Sequence, residues 1–270
     1  MTKISVLNMK GGVGKTTTAI HLAAGLARRG ARVLLIDADP QGTVGHVFAV
    51  AGAPTIREVL LGECSPDQAI RRGIRDNLDL LPASPAAFGI ERMLAADAQP
   101  EATLARRLEG LNGYDAVVVD TSPSMSLLTF NGLLYAEGLV IPVAMDQMAI
   151  IGARQTMNGV RDVAQLWPGR RLEVLAVLPT MVNVVTIATR AALAALDADP
   201  VLGPLVFGRG IRQCLDLTYA SASHQTIWEY APKSHAAEDF ETFVESINST
   251  TSQLPMPNER PRGALPKPPR

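Results

Sequence analysis

Only two cysteines occur in 270 residues, Cys64 and Cys214, far apart and with no CxxC pair or Cys/His cluster. That spacing excludes a disulfide framework and a thiolate metal centre, and reads as reduced cytosolic thiols. Lysine is also scarce, confined to Lys3, Lys10, Lys15, Lys233 and Lys267, so arginine carries most of the positive charge. The formal charge is −1, which supplies no global attraction to nucleic acid, and any DNA contact has to come from a local patch. No apolar run reaches the roughly 18 residues of a membrane span. The opening "MTKISVLNM" reads as a short strand entering a loop rather than as a signal peptide. A soluble, cytoplasmic protein is the expectation.

What is present is a series of short apolar runs: "ISVLNM", "ARVLLIDAD", "LDLLPAS", "DAVVVDTS", "GLVIPVAM", "LEVLAVLP" and "PLVFGRG". Near-continuous apolar strands mean burial on both faces, as in a parallel sheet covered by helices. Between them lie amphipathic stretches at Thr16 to Arg29, Ala149 to Leu166 and Ile187 to Asp197. This alternation predicts an α/β fold: one doubly wound, mostly parallel sheet with helices on both faces. No composition break or repeat divides residues 1–253, which read as a single domain. From Leu254 the chain becomes "LPMPNERPRGALPKPPR", proline-rich and weakly basic, and is expected to be a disordered tail over 254–270.

The segment "NMKGGVGKTT", Asn8 to Thr17, follows the first strand and opens a helix. Gly11, Gly12 and Gly14 allow the backbone to wrap tightly and turn successive N–H groups toward one anion. Val13 sits within that loop, and the following helix adds its positive dipole end. Lys15 suits bridging of the β- and γ-phosphates, and the Thr16 hydroxyl suits a Mg²⁺ ligand, with Thr17 next in the phosphate site. The pattern departs from an ordinary phosphate loop in two ways: Met9 stands where the first glycine is usual, and Lys10 adds a second lysine.

A metal–triphosphate site also needs acids at neighbouring strand ends. "LLIDADPQG" ends a strand with Asp37 and Asp39, and "AVVVDTSPS" ends another with Asp120 after four apolar residues. Asp120 fits holding the metal through water, as the acid at the end of a Walker B strand does. Asp39, fixed in an extended conformation by Pro40, fits orienting or deprotonating an attacking water. Capping or turn formation is the commoner use of an isolated aspartate, and for Asp39 the residues alone leave both readings open.

Together "KGGVGKTT" at Lys10 to Thr17, "DADPQG" at Asp37 to Gly42 and "VVVDTSPS" at Val117 to Ser124 resemble the deviant Walker A ATPases. Within the ParA/MinD superfamily they are most similar to the ParA-type DNA-partition and cargo-positioning ATPases. "GLVIPVAMDQMAIIGARQTMNGV" and "EYAPKSHAAEDF" extend the likeness over residues 3 to 248. The resemblance implies ATP and Mg²⁺ as cofactors, and a homodimer formed when ATP is bound. In it Lys10 would reach the phosphates of the partner subunit, a cation in trans that offsets charge in a poorly solvated interface. It further implies Asp39 as the water-positioning acid and Asp37 near the metal shell. The dimer would bind nonspecific double-stranded DNA on the nucleoid, and a ParB-like or other cargo-adaptor protein would stimulate slow hydrolysis.

For DNA the candidate phosphate contacts are Arg190, Arg209, Arg212 and Lys233. The segment "RQCLDLTYASASHQTIWEYAPKS" departs from the family's usual Arg-Leu-Ser-Glu-Ala-Pro-Ser, and His235 replaces a frequent basic residue. A membrane-surface ATPase of MinD type needs a C-terminal amphipathic helix that the proline-laden tail does not supply. A nitrogenase-type reductase needs cluster cysteines, and a tyrosine autokinase of related fold needs a terminal tyrosine cluster, whereas the last tyrosine is Tyr230. Plasmid, chromosome, microcompartment and chemoreceptor-cluster cargoes share these motifs, and a scaffold that binds ATP without turnover is the reading from another class.

Overall fold

The computed structural model describes residues 1–251 other than Gln147, Pro168 and Arg171. The strands are β1 (Thr2–Val6), β2 (Val33–Ala38), β3 (Arg71–Arg75), β4 (Leu78–Leu81), β5 (Ala116–Thr121), β6 (Gly138–Ala144) and β7 (Glu173–Thr180). Helices α1 (Lys15–Arg28), α2 (Thr43–Val47), α3 (Ile56–Leu61), α4 (Pro66–Ala69), α5 (Ile90–Met93) and α6 (Thr103–Arg107) belong to the first half. Then come α7 (Leu127–Tyr135), α8 (Ala149–Leu166), α9 (Ile187–Asp197), α10 (Asp216–Ala222), α11 (Ile227–Tyr230) and α12 (His235–Thr251). The strands form one sheet in the order β3-β4-β2-β5-β1-β6-β7, parallel except for the β3–β4 edge pair.

Every residue of β2, β5 and β6 is buried, because alternate side chains serve opposite faces. Val33 and Leu35 of β2 join α1 and α12 on one face, whereas Leu34 and Ile36 meet α3, α6 and α7 on the other. On that second face α8 and α9 cover the β6–β7 end. Phe240, Phe243, Val244 and Ile247 recur at helical spacing and bring α12 onto α1. The expected helix Thr16 to Arg29 is observed one residue earlier at each end, and the other two expected helices match α8 and α9.

Two strand expectations need correction. "PLVFGRG" does not join the sheet as a strand: Gly203–Leu205 is a 3₁₀ turn, and Val206 makes only an isolated bridge to Val177. The chain crosses close over the end of β7, where a Cβ on Gly210 (φ +73°) would stand 2.2 Å from the Pro179 carbonyl oxygen. Conversely β3, "RRGIR", was not foreseen, because a half-exposed edge strand needs no apolar run. The tail at 254–270 lies outside the described residues.

Between α1 and α12 sits His21, fully enclosed and stacked on Phe240 with ring centroids 4.5 Å apart. Its Nε2 accepts the Ile227 N–H at 3.0 Å, so Nδ1 carries the proton and donates to the Thr17 carbonyl at 2.7 Å. Burial lowers its pKa to about 4. An unfolded histidine titrates near 6.5, so acid protonates the unfolded chain first. The stability contributed by the neutral ring is complete above about pH 6.5 and is lost as pH falls toward 4, about 2 kcal/mol between pH 6.5 and 5. Urea midpoints at pH 7 and pH 5 should therefore fall more steeply for the wild type than for His21→Leu. Equal slopes would contradict this assignment.

Candidate active site

Parallel register assembles the site. Asp37 pairs with Asp120 across β2–β5, and Val6 pairs with Asp120 across β1–β5, so both carboxylates lie level with the start of the glycine loop. Ligands of such sheets sit beyond the carboxyl ends of the strands. The loop adopts left-handed backbone at Gly12 (φ +73°) and Gly14 (φ +84°), the latter standing immediately before α1.

Asn8, fully buried, anchors the root of the loop: Nδ2 donates to the Pro142 carbonyl at 2.7 Å, and Oδ1 accepts the Lys10 N–H at 2.8 Å. The Met9 N–H donates to Thr156 Oγ1 of α8 at 3.0 Å, so the side missing the usual glycine is held by a neighbouring helix. A Cβ on Gly152 would come within 3.1 Å of Lys10 Cβ, which shows how closely α8 approaches. Thr180 Oγ1 at the end of β7 donates to the Val13 carbonyl at 2.9 Å and supports the opposite side.

The two lysines point to different places. Lys15 is buried and donates to the Lys10 carbonyl at 3.0 Å. Desolvation lowers its pKa, offset by the Asp120 and Asp39 charges. Lys10 reaches outward to Asp146, with Nζ 2.6 and 2.5 Å from its two oxygens and its side chain 29% exposed.

The carboxylates also divide. Asp120 is fully buried, and neither oxygen has a hydrogen-bond partner. Burial and then the Asp37 charge raise its pKa well above the ordinary carboxylate range, with the Thr16 hydroxyl only a partial offset. An orphaned carboxylate beside the Thr16 hydroxyl offers oxygen donors of the kind Mg²⁺ takes. The expected metal role of Asp37 fits less well. Its Oδ1 accepts the Asp39 N–H at 3.0 Å and its Oδ2 accepts the Val44 N–H at 3.1 Å, so it holds the Asp39–Val44 loop in place. Burial raises the Asp37 pKa to about 7. Asp39 itself accepts the Gln41 N–H at 2.9 Å, which directs its carboxylate.

Beside Gly14, Thr17 and Thr18 opens a cavity of about 560 Å³, walled by Met181, Cys214, Leu215 and Leu217. Its size and partly apolar lining suit a nucleobase. Sequence reasoning missed this pocket. Its one signal was the departure of "RQCLDLTYASAS" from the family pattern, because the segment has no strand or loop motif of its own.

The expected DNA contacts also separate. Arg190, Arg209 and Lys233 are exposed. Arg212 is committed within the chain, to Asp239 at 2.6 Å and Glu238 at 2.8 Å, and ties the pocket wall to α12 rather than presenting a free cation.

Residues 1–172 match the AAA domain family. The chain is 37% identical over 246 residues to the chromosome-partitioning ATPase Soj of Thermus thermophilus, covering 91% of this chain and 94% of that protein. Among solved structures, a Mycobacterium smegmatis protein described as cobyrinic acid a,c-diamide synthase, with bound ATP analog and magnesium, superposes with a TM-score of 0.80. It shares 30% identity and covers 94% of this chain and 96% of that one. McdA of Cyanothece, in complex with ATP, has a TM-score of 0.82 at 22% identity over 95% of this chain and 98% of its own, a likeness of fold. With the loop, the paired acids and these matches in agreement, the chain belongs to the Soj/ParA family of partition ATPases.

Proposed function

We propose that the chain is an ATP-driven dimerisation switch that binds nonspecific DNA and releases it when a partner protein stimulates hydrolysis. The observation that carries the reading is Asp120, a fully buried carboxylate with both oxygens unpartnered beside the phosphate loop. Such a group is costly to bury unless a cation completes it.

In this reading Lys15 and the loop amides from Gly11 to Thr17 grip the phosphates, Thr16 and Asp120 hold Mg²⁺, and the cavity at Met181 and Cys214 receives the base. Asp39 orients the attacking water. Mg²⁺ neutralises charge on the phosphates and supplies Lewis acidity. Lys10, held at the rim by Asp146 rather than turned into its own loop, serves the partner subunit's phosphates. Exposed Met148 and Ile151 on the adjoining helix support a second copy as the cover on that side.

Arg190, Arg209 and Lys233, doubled in a dimer, supply phosphate contacts without base readout. Among the described residues no helix is long and apolar enough to cross a membrane. The Asp39→Ala chain with ATP and magnesium should run at twice the monomer mass in light scattering, and should shift a nonspecific duplex in a salt-sensitive manner. A single chain at saturating nucleotide would overturn the switch.

A further inference from the structure

Beyond the rim of the base cavity the surface turns apolar. β7 is the edge strand of the sheet, and the chain leaving it carries Val184, Val185 and Ile187 into solvent. Val185 is 82% exposed and Ile187 78%, and Leu215 on the neighbouring segment is 68% exposed. Single exposed aliphatic residues need no account, but several on one stretch of surface mark an interaction site.

These side chains are held in place. Met181, directly after β7, adopts left-handed backbone (φ +54°) where the chain turns. The Val182 N–H donates to the Ile211 carbonyl at 3.0 Å, and the Gln213 N–H to the Val182 carbonyl at 3.0 Å, which joins this loop to the segment ending in Leu215. Asn183 Oδ1 accepts the Val185 N–H at 3.3 Å, and Thr186 Oγ1 caps α9 by accepting the Thr189 N–H at 3.2 Å.

The charge around them has one sign. Residues 181–190 and 206–213 hold three arginines, Arg190, Arg209 and Arg212, and no acid. Arg212 is spent on Asp239 and Glu238, whereas among the described residues the side chains of Arg190 and Arg209 have no hydrogen-bonded or ionic partner. Arg190 stands one turn along α9 from Ile187, so cation and aliphatic side chain share a helix face. A two-fold contact between copies would set these arginines against their own images, which disfavours the chain itself as occupant. A polyanion with an apolar interior is the complement.

We infer that the loop from Val184 to Ile187 enters the minor groove of duplex DNA and wedges its aliphatic side chains between base pairs, with Arg190 and Arg209 on the flanking phosphates. Apolar wedges unstack a base step and kink the duplex, and they require no particular base. Met181 and Leu215 also wall the base cavity, so nucleotide and wedge share a boundary. The inference rests on the DNA binding proposed above and adds its mode.

The experiment takes the Asp39→Ala chain with ATP and magnesium, and a duplex of about 20 base pairs with donor and acceptor dyes at its ends. Anisotropy reads affinity, and energy transfer at saturating protein reads the bend. Binding should raise energy transfer, as a kink brings the ends together. Adding Val185→Ser and Ile187→Ser should weaken binding about tenfold and abolish the rise, with the salt slope unchanged. Adding Arg190→Gln instead should lower the salt slope by about two per dimer, one phosphate for each copy, and keep the rise. The serine variant should still double its mass with ATP.

Full-strength binding and an undiminished rise in the serine variant would overturn the inference and leave the switch standing, with the patch assigned to a protein partner. Binding without any rise in the parent chain would overturn it too, since the cations alone would then hold the duplex. A serine variant that stays a single chain with ATP would overturn it in favour of a contact between copies. If the parent chain binds no duplex even at low salt, the DNA-binding half of the proposed switch falls, and the inference falls with it.

Discussion

Lys10→Ala is expected to leave nucleotide affinity nearly unchanged while abolishing ATP-dependent dimerisation and lowering partner-stimulated turnover about 10³-fold, the effect of removing a cation supplied in trans. The two lysines differ in geometry. Lys15 is buried at the loop, and it is the backbone carbonyl of Lys10 that accepts a hydrogen bond from its ammonium group, so alanine at position 10 keeps that contact. The Lys10 side chain instead pairs with Asp146 at the rim, away from its own loop. Lys15→Ala should therefore lose nucleotide binding outright. Titration with a fluorescent nucleotide, light scattering and phosphate release separate the two variants. A Lys10→Ala chain that still doubled its mass with ATP would exclude the lysine as the trans contact.

Gly25→Leu should lower stability by about 3 kcal/mol or more, through overpacking rather than helix propensity. Leucine is a better helix former than glycine, so isolated-helix energetics favour the substitution by roughly 0.8 kcal/mol. Packing decides otherwise. A Cβ at Gly25 would stand 2.5 Å from Val244 Cγ2 and 3.0 Å from the Trp228 ring. Val244 is fully buried on α12 and has no room to retreat. In a chain of this size, 3 kcal/mol corresponds to a fall of roughly 6–12 °C in Tm. A Gly25→Ala/Val244→Ala pair should recover part of the loss, seen as a coupling energy in a double-mutant cycle. Additive effects would show that the two helices do not meet there as described.

Legibility differed from element to element for physical reasons. β2 and β5 were plain in the sequence because burial on both faces requires unbroken apolar runs, and α8 and α9 because one-sided burial imposes helical spacing. The phosphate loop was plain because wrapping an anion demands glycines at fixed positions. The edge strand β3 left no apolar signature, and "PLVFGRG" left a false one, being apolar for contact with the end of β7 rather than for pairing. Arg212 and Arg209 look alike as letters. Only the fold places Asp239 and Glu238 beside the first.

The sequence by itself determined the parallel strands of the sheet, the loop chemistry and the family, since each depends on residue type at short spacing along the chain. Tertiary structure alone decided that Asp120 is left without a partner while Asp37 is spent on two amides. It also turned Lys10 away from its own loop, and it opened the base cavity. Those facts depend on register between strands distant in sequence and on helices folded back across the sheet. Local pattern carries no record of which side chains such long-range packing brings together.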